Sequence, residues 1–239
     1  MNQIEDLVIA YRVLAEHAVI DGYGHVSVRS ASNPERYLIS RSLAPELVTE
    51  ADIMEFDLDS NPIDQRDRPM YTERYIHGQI YKSRPDVNAV VHNHSPSVIP
   101  FGITPVKMRP VYHMSAFVGM GVPVFEIRDV ERDSDMLVRS NPLGRALAQC
   151  LGGCGAALMR GHGAVVVAPG LSTVVGRSIY LEMNARLQMQ ALTLAKPEQI
   201  IYLEGGEIEK TTKMNDFMRA WELWRARALR QLEAEKRRG

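Results

Sequence analysis

Thiols are scarce in this chain. Only Cys150 and Cys154 occur in 239 residues. A disulfide scaffold or a zinc ribbon needs more, so the pair reads as free thiols in a reducing cytoplasm. Charge of one sign is missing too. The formal net charge is −1, which leaves no basic footprint for nucleic acid. No apolar run approaches the roughly 20 residues that span a bilayer, so no membrane partner is expected. The opening stretch MNQIEDLVIAYRVLAEHAV places Glu5 and Asp6 early and lacks a small-residue cleavage site. It reads as an amphipathic helix rather than a signal peptide. Together these absences predict a cytoplasmic protein.

What is present fits a single globular unit of ordinary size. Hydrophobic residues make up 45% and charged residues 24%, the balance of a soluble domain with a packed core. The length suits a single domain over residues 1–239. Apolar residues at helical spacing predict a helix over 3–19. Strands are expected at 25–29, 37–40 and 54–58, with a helical turn at 49–53 between the last two. A helix over 71–82 closes at Arg84-Pro85, and a strand over 87–92 follows. A further strand is expected at 122–125, a helix at 141–150, and strands at 156–159 and 164–168. Helices over 171–194 and 214–236 end the chain. Residues 204–213 are polar and glycine-containing, and read as a flexible link that sets the last helix apart. The mixed order predicts a central, largely antiparallel sheet with helices packed on it.

Seven histidines occur in the chain, and two of them stand two apart in NAVVHNHS, at the end of a strand pattern. Residues i and i+2 of a strand share a face, so His92 and His94 can hold one cation between them. H-x-H alone equally marks a hydrogen-bonded pair at a strand end. A third imidazole, His162, sits between Gly161 and Gly163 in a turn between two short apolar strands. Three histidines make a set that leaves positions open for substrate. Glu73 opens the predicted helix 71–82. A strand returning beside that helix brings its carboxylate near the histidines; by itself it is a carboxylate favoured by the helix dipole.

Four segments taken together carry a resemblance. They are Glu73-x-x-x-His77, YKSRPDV at 81–87, AVVHNHS at 89–95, and Gly161-His162-Gly163. Their combination resembles the class II aldolase/adducin family over most of residues 3–195. The resemblance implies an α/β fold of three layers, α/β/α, around a mostly antiparallel sheet. It implies that His92, His94 and His162 hold one divalent metal ion per subunit, with zinc, manganese and cobalt all compatible. Glu73 would be the acid/base or a further ligand. It also implies a homo-oligomer, a tetramer, with sites at subunit interfaces and with the helix in 214–239 packing on a neighbour. His77 reads as packing or as support behind the site.

Two loops bear on the chemistry. The family's sugar-phosphate aldolases carry Ser-Gly-Asn in the first anion loop and Ser-Gly in the second. Here the first loop is DGYGHVS, with His25 in place of asparagine. The second is ISRSLAPE, which lacks the glycine and brings Ser40, Arg41 and Ser42. Arg41 offers a fork suited to a planar carboxylate. The loops resemble the decarboxylase subgroup that acts on dihydroxyphthalates and hydroxypyridine dicarboxylates. The expected function is therefore a metal-dependent carboxy-lyase acting on a hydroxy-substituted aromatic or ring-cleavage dienoic acid. A small carboxylic acid is the expected partner. An aldolase-type lyase acting on a hydroxy-aldehyde, sugar acid or sugar phosphate is the second expectation. A non-catalytic adducin-like interaction module is the third. His113, beside Tyr112, stands about where the aldolases place a tyrosine acid from the neighbouring subunit, and is a candidate proton donor.

Overall fold

The computed structural model describes residues 2–237. Seven strands form one sheet: β1 (His25–Arg29), β2 (Arg36–Ser40), β3 (Ile53–Asp57), β4 (Ala89–Asn93), β5 (Val124–Phe125), β6 (Ala156–Met159) and β7 (Gly163–Ala168). Their spatial order is β3-β2-β1-β4-β7-β6-β5. Every pairing is antiparallel except β5 with β6.

The strands in the middle of the sheet are apolar on both faces, so both faces are covered. Along β4, Ala89 and Val91 join one core and Val90 joins another. Along β7, Ala164, Val166 and Ala168 face the first core, while Val165 and Val167 face the second. This period of two divides the molecule into three layers. Helices α1 (Gln3–Glu16), α5 (Leu171–Leu194) and α7 (Met218–Lys236) cover the first face. Helices α2 (Arg74–Ser83) and α4 (Asn141–Leu151) pack together on the second. Burying each large aliphatic or aromatic side chain contributes about 1.5–3 kcal/mol. The mostly antiparallel sheet is as the element order predicts, and the three α/β/α layers are as the family resemblance implies.

Several boundaries differ from the sequence pattern. The first helix stops at Glu16 because Ala18 takes a left-handed conformation, φ 54°. The second starts at Arg74, which leaves Glu73 in the cap position. A short helix α3 (Ile99–Ile103) and a 3-10 segment (His113–Met120) follow β4, where no element was expected.

The polar stretch 204–213 is not a flexible link. It forms helix α6 (Gly205–Met214), opened by a Glu204–Glu207 capping box. Its Ile208 lies so close to Gly119 that a Cβ there would come within 2.5 Å of the Ile208 side chain. Nor is the last helix set apart. Trp221 and Trp224 are buried in the same core as α1 and α5. Arg225 bonds Asp6 at 2.8 Å and Glu5 at 2.5 Å. A polar outer face hid a docked inner one.

Candidate metal centre

Three segments deliver the histidines to one place. His92 lies near the end of β4, on the face covered by α2. His94 follows two residues later, and the two Nε2 atoms are 3.2 Å apart. His162 sits in the tight turn joining β6 to β7, where Met159 pairs with Gly163. Gly161 in that turn has φ +62°, which a side chain would oppose. Gly163 lets β7 lie close beside β4: a Cβ there would be 2.0 Å from the Asn93 carbonyl oxygen. That close approach sets His162 Nε2 3.1 Å from His94 Nε2.

The fourth group comes from the cap of α2. Glu73 Oε1 accepts a hydrogen bond from the Val138 backbone N–H at 2.8 Å. Its Oε2 lies 3.4 Å from His92 Nε2 and 3.5 Å from His162 Nε2. One oxygen anchors the carboxylate and the other faces the histidines.

The donor set suits a divalent cation. One ligand atom from each of Glu73, His92, His94 and His162 lies within 4.8 Å of every other. Ligands at about 2.1 Å from an ion sit about 3.0–3.4 Å from one another, which matches the closest of these separations. The tautomers also suit. His162 Nδ1 meets the Met136 carbonyl oxygen at 2.9 Å, and His92 Nδ1 meets that of Ala164 at 3.2 Å. A carbonyl only accepts, so each Nδ1 carries the proton and each Nε2 lone pair faces the cluster.

Electrostatics agree. Burial raises the Glu73 carboxyl, but His92 and His162 outweigh it and hold it far below the usual range. Burial lowers His162, yet its hydrogen bond to Glu73 more than compensates and raises it. Burial, with His92 and His162 beside it, lowers His94 to about 4. The cluster thus favours one positive charge, a proton or a metal ion, against the carboxylate.

The cluster opens onto a cavity of about 580 Å³, large enough for one ring-sized ligand. Gly22, Tyr23, Leu43, Ala44, Tyr71 and Leu137 form much of its wall.

Comparison with known proteins places this architecture. The family described as the Class II Aldolase and Adducin N-terminal domain matches residues 5–189. This chain belongs to that family. Among its curated relatives is Decarboxylase tropJ from Talaromyces stipitatus, 36% identical over 235 residues, covering 89% of this chain and 88% of the relative. Another is a 3,4-dihydroxyphthalate decarboxylase from Arthrobacter keyseri, 31% identical over 201 residues, covering 78% and 77%. The fold is shared with the L-fuculose 1-phosphate aldolase of Glaciozyma antarctica. That match has a TM-score of 0.75 at 21% identity and covers 98% of this chain and 89% of the aldolase.

Within this class II aldolase/adducin domain, the candidate substrate residues separate. His25 and Ser42 line the cavity. Ser40 does not; it is buried beneath, its hydroxyl bonded to Tyr11 and Tyr71. Arg41 also stays out of the wall. Its Nε binds Asp52 at 2.6 Å, and its backbone N–H donates to the Asp52 carbonyl at 2.7 Å. The loop cation already has a carboxylate from its own chain. Sequence reasoning missed Asp52 because that residue read only as part of a helical turn.

His113 is exposed on the 3-10 segment beside α5 and α6, and does not border this chain's cavity. Tyr71, Thr72 and Leu137 were not expected in the wall. Tyr71 and Thr72 immediately precede Glu73, which was the available signal. Leu137 had none, since the loop bearing it is distant in sequence. No helix among the described residues is long and apolar enough to cross a membrane.

Proposed function

We propose that this chain is a metal-dependent carboxy-lyase that removes CO₂ from a hydroxy-substituted aromatic carboxylic acid. The observation that carries the reading is the convergence of Glu73, His92, His94 and His162 at the base of a cavity with apolar and aromatic walls. Decarboxylases among the relatives support the same reaction class. No lysine or arginine borders this cavity among the described residues. A flat acid would rest against Tyr23, Leu43, Ala44 and Leu137. Its oxygens would meet the Ser42 and Thr72 hydroxyls and the backbone of the Gly22–Gly24 loop.

His92, His94 and His162 would hold the ion, with Glu73 beside it; zinc and manganese suit this donor set, and cobalt also fits. Bound there, the ion would act as a Lewis acid toward a substrate oxygen next to the bond that breaks. Glu73 enters the reaction ionised, so it first accepts the proton of the substrate hydroxyl. The bond between the ring carbon and the carboxylate carbon then breaks. CO₂ leaves, and the electron pair stays with the ring. Glu73 returns the proton to that ring carbon. A solvent proton restores the hydroxyl. The net change is one proton taken up and one CO₂ released.

We propose further that the chain acts as one domain in a homo-oligomer, a tetramer as in its family. His113 could then act only in a neighbouring copy's cavity. The test is a screen of ortho-hydroxy aromatic acids, 3,4-dihydroxyphthalate among them, for CO₂ release by zinc- or manganese-loaded protein. L-fuculose 1-phosphate serves as the aldolase control. Release of CO₂ that chelation abolishes supports the proposal. Cleavage of the sugar phosphate alone overturns it.

A further inference from the structure

A line of four buried polar side chains runs from the cavity wall into the space between β1 and α2. His25 Nδ1 lies 2.6 Å from His77 Nε2. His77 Nδ1 lies 2.6 Å from the Ser27 hydroxyl, and that hydroxyl lies 2.8 Å from the Tyr81 hydroxyl. His25 and Ser27 share one face of β1, while His77 and Tyr81 lie one turn apart on α2. All four are buried. His77 and Ser27 do not border the cavity, and neither does Tyr81. Nothing in the reaction above uses them.

The direction of this chain is fixed at its inner end. The Tyr81 hydroxyl has one hydrogen-bond partner among the described residues, the Ser27 hydroxyl, and the Arg29 guanidinium lies 4.9 Å from the centre of its ring. A guanidinium cannot accept a proton. The Tyr81 hydroxyl therefore donates to Ser27, its one acceptor among the described residues. Ser27, having accepted, donates its own proton to His77 Nδ1. An accepting Nδ1 leaves His77 neutral with its proton on Nε2. That N–H donates to His25 Nδ1. A neutral His25 with an accepting Nδ1 carries its proton on Nε2. That nitrogen has no protein partner among the described residues, and it is not a buried orphan. It faces the cavity that His25 lines.

We propose that Tyr81, Ser27 and His77 form a polarised chain that locks His25 as an Nε2–H donor to an oxygen of the substrate. The substrate class follows from that fixed polarity: His25 can greet an oxygen acceptor, a carboxylate or a deprotonated hydroxyl, and disfavours a group that only donates. The use of the donor rests on the carboxy-lyase reading above; its orientation does not. His77, Ser27 and Tyr81 are positioning residues, since none touches the cavity. The arrangement resembles in logic a carboxylate that orients a catalytic imidazole, with a phenol at the far end instead of a charge.

The orientation is testable without substrate. Zinc-loaded protein labelled with ¹⁵N-histidine is examined by long-range proton–nitrogen correlation, with peaks assigned from single histidine variants. The expected result is the Nε2–H tautomer at both His25 and His77. Tyr81→Phe removes the donor at the inner end while keeping the ring, and Ser27→Ala cuts the chain. In each, a mixture with the Nδ1–H tautomer should appear at His77 or at His25. Zinc content should stay at one per chain. An Nδ1–H tautomer at His25 in the unaltered protein overturns the proposal. So does an unchanged spectrum in Tyr81→Phe, the variant that keeps all packing but one oxygen. With an active acid substrate, Tyr81→Phe should lower kcat about tenfold with KM within about threefold, the smaller end of the usual scale for positioned proton-handling groups. An inactive substrate panel would overturn the carboxy-lyase reading and leave the tautomer result standing.

Discussion

Glu73 and His92 lie 19 residues apart in the chain, yet the Glu73 Oε2 atom stands 3.4 Å from His92 Nε2. The other Glu73 oxygen is held by the Val138 N–H at 2.8 Å. The carboxylate is therefore fixed in place and ionised before any ligand arrives.

Zinc or manganese should bind at one ion per chain. Replacing His92, His94 or His162 by Ala should each reduce metal content to a small fraction by elemental analysis. Affinity should fall as the medium is acidified, because protons compete for the ligand nitrogens. Circular dichroism should show the sheet retained in all three variants. Stoichiometric metal in every variant would remove the assignment of this centre.

Glu73→Gln keeps the shape of the side chain and its bond to Val138, but cannot carry the proton. Turnover should fall by about 10²-fold or more, the usual range for a general acid–base group. KM should stay within about tenfold. Steady-state kinetics on the best substrate from the acid screen decide this, and turnover near that of the unaltered protein would assign the proton transfer elsewhere.

Arg41→Ala should leave KM for an acidic substrate within about twofold, because the guanidinium is tied to Asp52 and not to the cavity. Stability should fall by about 0.2–1 kcal/mol, as for a partly exposed ion pair. Denaturant titration and substrate kinetics measure the two effects. A large rise in KM with unchanged stability would show that the arginine leaves Asp52 to grip substrate.

Acid should weaken the metal-free protein through His77. Its folded-state value is about 3 against an ordinary 6.5. Between those values the unfolded chain binds a proton that the folded chain refuses. Stability therefore rises with pH across that window and is lost as pH falls from about 6.5, by about 1.4 kcal/mol per pH unit for such a group. Above 6.5 the histidine contributes no slope. Chelator-treated His77→Asn, less stable overall, should show a shallower loss between pH 6.5 and 4.5 in denaturant midpoints. Equal slopes in both proteins would mean that His77 is not the group refusing the proton.

Much of the sheet and three of the centre's four side chains were legible in local pattern. A strand repeats every two residues, so His92 and His94 shared a face as soon as VVHNHS read as a strand end. A turn announces itself by glycine, so Gly161-His162-Gly163 put a histidine at a hairpin tip. Helix periods gave α1, α4 and α5 to within a few residues. All of these are short-range signals, set by backbone geometry and by which face must leave water.

The tertiary structure alone decided who meets whom. Whether Glu73 faces His92 or solvent depends on where α2 lies on the sheet, and that is set by packing against α4. Arg41 read as a fork for a substrate carboxylate, whereas the turn at 50–52 brings Asp52 beside it. His25 and His77 stand 52 residues apart and bond only because β1 pairs with β4 beneath α2. Helix α6 looked like a linker because its sequence is mostly polar around Ile208, which packs against Gly119. Charge pairs, proton chains and docking faces are sums over distant contacts, so no window of sequence contains them.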